Sequence, residues 1–234
     1  MHIVILLLGL WACSAAARAE DITAVLERSQ RLRLESRVPA PADSARAERI
    51  RTSFARIQAT APSPHPVELQ VMQGGVQAEA MLGRLLVVGE AVGDLPEGER
   101  LMLLAHEYGH LSMDHWHDVL ALYRRHVPGE VRPETTDPVA RELGRDGHEL
   151  SLRQEFEADA FGYRLVQRLG VGLTDATSLL MRQPVTGDTA THPATRRRIA
   201  QLRALQMRLD AGTEPTDEPP RRAAAAGAPP TTAP

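Results

Sequence analysis

The chain has 234 residues, 43% of them hydrophobic, and a net charge of -3, enough apolar material for one sizeable core. It carries no long basic run, so neither nucleic acid nor an anionic membrane surface is indicated as a partner. Its single cysteine, Cys13, excludes a disulfide framework.

Ile3 to Ala12 is an apolar stretch too short to span a bilayer, and Ala17-Arg18-Ala19 follows as a small-x-small cleavage signal. Residues 1–19 are therefore read as a secretory signal peptide, with the mature chain starting at Glu20, exported to the periplasm and without a transmembrane helix. The segment before the apolar run is poor in charge, offering only His2 and the terminal amine. Leu10-Trp11-Ala12-Cys13 resembles a lipobox, so the alternative is a lipoprotein anchored to a membrane through an acylated Cys13. Within residues 20–60, two helices are expected over 21–36 and 43–59, the second carrying Ile50, Phe54 and Ile57 on one face. The Pro-rich connector Ala61-Pro62-Ser63-Pro64-His65-Pro66 then leads to a strand over Val67 to Met72, a Gly74-Gly75 turn and further apolar runs up to Val88.

His106-Glu107-Tyr108-Gly109-His110 is an HExxH segment. At roughly 100° per residue, positions i and i+4 lie about 40° apart on a helix, so its two imidazoles can grip one metal ion. Glu107 sits beside them, aimed at the position a catalytic metal leaves open for water, and the chemistry suggested is peptide-bond hydrolysis. Five residues can match such a pattern by chance, but the setting argues for a site. Leu101 to Ala105 run straight into His106, and Leu111 and Met113 follow, so the helix is apolar nearly all round and should be central. Asp94-x-x-Glu97, with Pro96 in the first turn, reads as its capping box. Gly109 costs about 1 kcal/mol relative to Ala inside a helix, which is understandable if another backbone or a substrate approaches closely there.

Two histidines need a third protein ligand to hold a catalytic zinc. A helix expected from about Glu149 to Leu169, ended by Gly170, places Leu152, Phe156, Tyr163 and Val166 on one stripe together with Glu155 and Asp159. Carboxylates on a core-facing stripe are costly unless paired or metal-bound, so Glu155 is the candidate third ligand. Asp159, one turn on, is expected to hold a ligand imidazole by its free N–H. Glu157 falls outside the stripe and reads as solvated. His115 and His117 read as solvated or structural, and His65, His126 and His148 sit in polar, loop-like settings. Tyr108 and Tyr163 read as core, with Tyr163 a weak candidate for a transition-state hydrogen bond. Residues 212–234 are Pro, Ala, Thr and Gly with a few charges, and are expected to be a disordered tail.

HEYGH, then EFEAD, then Thr191-His192-Pro193 with Arg198 closing a His-Pro-x4-Arg pattern, resembles the HtpX- and BepA-like gluzincin metallopeptidases, the family that includes the CAAX prenyl endoprotease. The resemblance runs over roughly residues 65 to 205, within an expected peptidase domain of residues 65–210. It implies zinc held by His106, His110 and Glu155, with Glu107 as general base and Asp159 behind the ligands. It also implies that His192 and Arg198 approach the site, and that a histidine in the position of His192 can bind the zinc and block it. Where the family usually has an Asn-Ala pair on an edge strand, this chain has Glu79-Ala80, which bears on substrate contacts at that edge but not on the metal site.

The expected architecture is thus an α+β zincin-like domain, a small sheet over a central HExxH helix with additional helices. The expected function is a zinc-dependent endopeptidase with one Zn2+ per chain, cleaving unfolded or misassembled polypeptides of the bacterial cell envelope. Catalytic roles fall to Glu107 as base and to His192 or Arg198 as a positive group near the developing oxyanion. The alternatives are a latent, zinc-stabilised binding or chaperone-like module with little turnover, and a regulatory zincin of the ImmA type, against which the export signal and the His192 segment argue.

Overall fold

The computed structural model describes residues 20–182, 186–189 and 192–213. The expected signal peptide, the lipidation alternative at Cys13, Thr191 and the tail from 214 onward lie outside the described residues.

Two helices open the described chain: α1 (Ile22–Glu35) and α2 (Ala45–Thr60). Asp21 caps the first by accepting from the Thr23 and Ala24 amides at 2.8 and 2.9 Å, and Ser44 caps the second by accepting from Ala47 at 3.1 Å. Three strands follow, β1 (Glu68–Met72), β2 (Ala78–Met81) and β3 (Leu85–Gly89). The sheet order is β1-β3-β2, with β3 parallel to β1 and antiparallel to β2, so β2 is an edge. All five residues of the β3 run are buried, as befits a strand covered on both faces. Leu86 and Val88 face the main core with Ile50, Phe54 and Ile57 of α2, whereas Leu85 and Val87 join Met72, Met81 and Leu34 of α1 on the other face.

The HExxH residues lie on α3 (Glu97–Ser112), and this helix starts differently from the expectation. Pro96 is its N-cap and no side chain caps it. Asp94 instead closes a 3-10 turn and pairs with Arg46 and Arg49 of α2 at 2.7 and 3.0 Å, so tertiary ion pairs take the carboxylate that the capping-box reading assigned to the helix amides. At its other end the chain breaks at Asp114, which adopts a left-handed conformation at φ 57°, and restarts as α4 (His115–His126).

After a single helical turn, α5 (Pro133–Thr136), comes α6 (Ala140–Arg168). It begins at Ala140 and not near Glu149, which corrects the boundary and the loop-like assignment of His148, while His126 is the last residue of α4 and not part of a loop. Gly144 and Gly147 weaken the local helix signal, but Asp146 docks the added turns onto α4 through His126 at 3.0 Å. The expected end holds, since Gly170 takes φ +85° just past the helix. The remaining helices are α7 (Leu173–Arg182) and α8 (Thr195–Asp210), the latter sending Leu202 and Leu205 into the core. The α+β class holds, with helices enclosing one small sheet. No helix among the described residues is long and apolar enough to cross a membrane.

Candidate metal centre

The centre is built where α3 and α6 touch, and two glycines let them do so. A Cβ at Gly162 would stand 3.0 Å from the His106 amide nitrogen, and one at Gly109 would stand 3.0 Å from the Phe161 ring and 3.4 Å from the Ala158 Cα. The close approach suggested by Gly109 is therefore a helix-to-helix contact. It carries the inward stripe of α6 directly over the two histidines.

His106 and His110 turn their Nε2 atoms together, 3.2 Å apart. Glu155 meets both, with Oε2 3.6 Å from His106 Nε2 and Oε1 3.4 Å from His110 Nε2. One ligand atom from each of these three residues lies within 4.8 Å of the others. Glu155 is 6% exposed, and its Oε2 is buried with no hydrogen-bond partner. Two imidazole lone pairs and an orphaned carboxylate oxygen converging on one point are what a cation requires, and the His2Glu set suits a catalytic zinc. Burial alone would raise the Glu155 carboxyl, but His106, His110 and Arg198 outweigh it and hold it down to about 2.

Behind His106 stands Asp159, 1% exposed, with Oδ1 3.0 Å from the ring Nδ1. Arg198 of α8 donates to the same carboxylate twice, through Nε at 2.7 Å and a terminal nitrogen at 2.5 Å. Its other terminal nitrogen lies 3.6 Å from Glu155 Oε2. Burial opposes the ionised Asp159, yet the bonds from Arg198 and His106 leave its carboxyl well below the usual range.

Glu107 faces the sheet. Its Oε2 accepts from the Ala80 amide at 2.8 Å, so the carboxylate is tethered to the edge strand beside the donors. Burial, with Glu155 adding to it against an opposing His106, pushes the Glu107 carboxyl up to about 7. Along β2 the Gly89 amide donates to Gln77 O at 2.9 Å, and by antiparallel alternation the amides of Ala78 and Ala80 point to the free edge. Glu79, where the resembled family has Asn, is held by Arg33 and by Arg37, the latter at 2.6 Å, while Gln30 accepts from the Leu82 amide at 2.5 Å. Helix α1 thus forms one wall of a cleft of about 600 Å³ that also reaches Glu107, His110, Glu155 and His192.

Of the residues in the His-Pro segment, His192 is half exposed, with Nε2 3.8 Å from Glu155 Oε2. Burial, and secondarily Arg198, lowers its imidazole. Tyr163 is fully buried and donates to Gln206, which fits packing and not the cleft. Glu157 is exposed, as expected of a solvated residue, and its Oε2 lies 3.3 Å from His115 Nε2.

Of the two readings offered for His115, solvated or structural, the structure supports the second. It is 4% exposed, with its Nδ1 2.8 Å from His110 Nδ1. Gln154, itself buried, donates to the His115 carbonyl at 3.0 Å. Burial, then His110 and His106, push the His115 imidazole down to about 3, keeping it neutral. The spacing His110-x4-His115 was the available signal, but on a continuous helix it points the two rings apart.

The model of peptidase family M48 matches residues 146–206, the span that holds Glu155, Asp159, His192 and Arg198. No curated protein matches the chain.

Proposed function

We propose that this chain, whose residues 146–206 match the model of peptidase family M48, is a zinc metallopeptidase, an HtpX- or BepA-like endopeptidase exported to the cell envelope that cleaves unfolded or misassembled polypeptides. One zinc per chain would be held by His106, His110 and Glu155, and the observation that carries this is the convergence of their donor atoms around an unpartnered, buried Glu155 oxygen. When bound, zinc polarises the scissile carbonyl and lowers the pKa of a water to about 7.

The chain's own residues supply the rest. A polypeptide adds to the free edge of β2 through the outward backbone groups of Ala78 and the Ala80 carbonyl, next to the Ala80 amide that holds Glu107, which sets its scissile bond beside Glu107. The Glu107 carboxylate accepts a proton from the attacking water and returns it to the leaving amine. Burial favours the protonated form of this carboxyl, which helps it hold the proton between the two halves of that exchange. Asp159 holds His106 in the tautomer that leaves Nε2 free, and Arg198 keeps Asp159 ionised while adding positive charge beside Glu155.

A second reading, a chain latent until substrate arrives, is favoured by His192, whose half-exposed imidazole stands 3.8 Å from Glu155. Such a ring can occupy the position that water needs. One assay tests both readings: cleavage of casein with and without a chelator, with zinc content measured on each variant. Glu107→Gln should abolish cleavage with zinc retained, and Glu155→Ala should lose zinc. His192→Ala should raise basal cleavage. Retention of full activity by Glu155→Ala would overturn the ligand set, and a fall in cleavage at unchanged zinc content in His192→Ala would overturn latency.

A further inference from the structure

We infer that His115 is a positioning residue for the metal centre, accepting the Nδ1 proton of His110 and so fixing the tautomer and aim of that ring. The inference rests on His110 being a metal ligand. A 2.8 Å contact between two ring nitrogens requires one N–H and one lone pair. His110 Nε2 faces His106 Nε2 at 3.2 Å and Glu155 Oε1 at 3.4 Å, so its lone pair belongs there and its proton belongs on Nδ1. His115 must then present an unprotonated Nδ1 and carry its own proton on Nε2. That nitrogen is buried and makes no hydrogen bond, with Glu157 Oε2 at 3.3 Å as a nearby carboxylate.

The placement of the ring is built, not incidental. Asp114 turns the backbone back on itself in the left-handed region, and His115 is the first residue of the next helix. Gln154, next to Glu155 in sequence, fixes the His115 carbonyl at 3.0 Å from the opposing helix. The ring is packed edge-on to His110, with centroids 4.9 Å apart at 80°. Metal-bound imidazoles are ordinarily held at their second nitrogen by a carboxylate or a carbonyl, and loss of such a partner weakens metal binding by roughly 10–100-fold. Here a neutral imidazole takes that place.

The experiment separates an acceptor from a space-filler. Zinc dissociation constants of the full chain are measured by chelator competition for wild type, His115→Asn and His115→Phe, with His110→Ala as reference. The Asn side-chain oxygen reaches roughly where Nδ1 sits and accepts, whereas Phe fills the space without accepting. The Phe variant should bind zinc roughly 10–100-fold more weakly, with the Asn variant within about 3-fold of wild type. Melting temperatures taken in chelator detect any loss of fold in either variant. Equal weakening in both variants, or wild-type affinity in the Phe variant, overturns the inference. Unchanged zinc binding by His110→Ala would overturn the metal centre itself, a separate failure.

Discussion

The two imidazoles that face Glu155 sit one turn apart on α3 and are held from behind by opposite means. His106 leans on a charged brace, Asp159 clasped by Arg198, in which the carboxylate is 1% exposed. His110 leans on a neutral one, the His115 ring, whose own outer nitrogen faces a half-exposed Glu157. Both braces converge on a short stretch of α6, since Gln154, Glu155, Glu157 and Asp159 all lie within it. The difference is in what happens when a member is lost. Breaking a buried ion pair strands a charge, while breaking a neutral contact strands only a polar atom.

Asp159→Ala should therefore have the largest effect. It leaves the Arg198 guanidinium, 12% exposed, without its bidentate partner, at an expected cost of about 3–5 kcal/mol on removing one partner of a buried pair. Zinc affinity should fall roughly 10–100-fold in the same variant. Denaturant unfolding and chelator competition read the two losses, and a variant as stable as wild type would contradict the charged brace. The sign of the pH dependence is fixed. A depressed folded-state carboxyl contributes stability that is present above its unfolded value of about 4 and is lost as pH falls through the folded one, so Asp159→Ala should flatten the acid limb of the stability curve.

Gly162→Ala comes next, because it disturbs the seat of the charged brace by pressing a methyl against the His106 amide 3.0 Å away. Overpacking of this kind costs about 1–3 kcal/mol, and a thermal melt would show it. An unchanged melting temperature would mean that α3 and α6 can separate freely. The smallest effect is expected for Glu157→Gln at the outer end of the neutral brace. Since the Glu157 side chain is about half exposed and makes no hydrogen bond to His115 Nε2, zinc affinity should move by less than about 3-fold in the same competition assay. A larger loss would show that the negative charge reaches His110 through His115, making the second brace charged after all.

Much of this arrangement can be read before any coordinates, and the exceptions share a cause. Helical periodicity alone turns Glu155 and Asp159 inward, and they are 6% and 1% exposed. The first two helices and β1 fall within a residue or two of their expected bounds, and β3 ends one residue past the expected Val88, because caps, prolines and alternation are local signals. Asp94 misleads because arginines of α2, remote in sequence, compete for it. The first turns of α6 are hidden because contact with α4, not propensity, holds them. His115 is the plainest case. Five residues along an unbroken helix is roughly 140° around it, so only the left-handed turn at Asp114 brings the ring back to His110.

The bond between Asp159 and Arg198 extends the centre to a third helix, and that reach has a thermodynamic corollary. A chain with one cysteine has no internal disulfide, so the donors and their braces are the cross-tie between segments near residues 106, 155 and 198. An ion that binds only the folded chain adds RT ln(1 + [L]/Kd), about 2.7 kcal/mol when free ion is 100-fold above Kd. Metal supply in the surrounding compartment would then govern not only turnover but how long α8 stays docked, and the survival of the chain would become a readout of that supply.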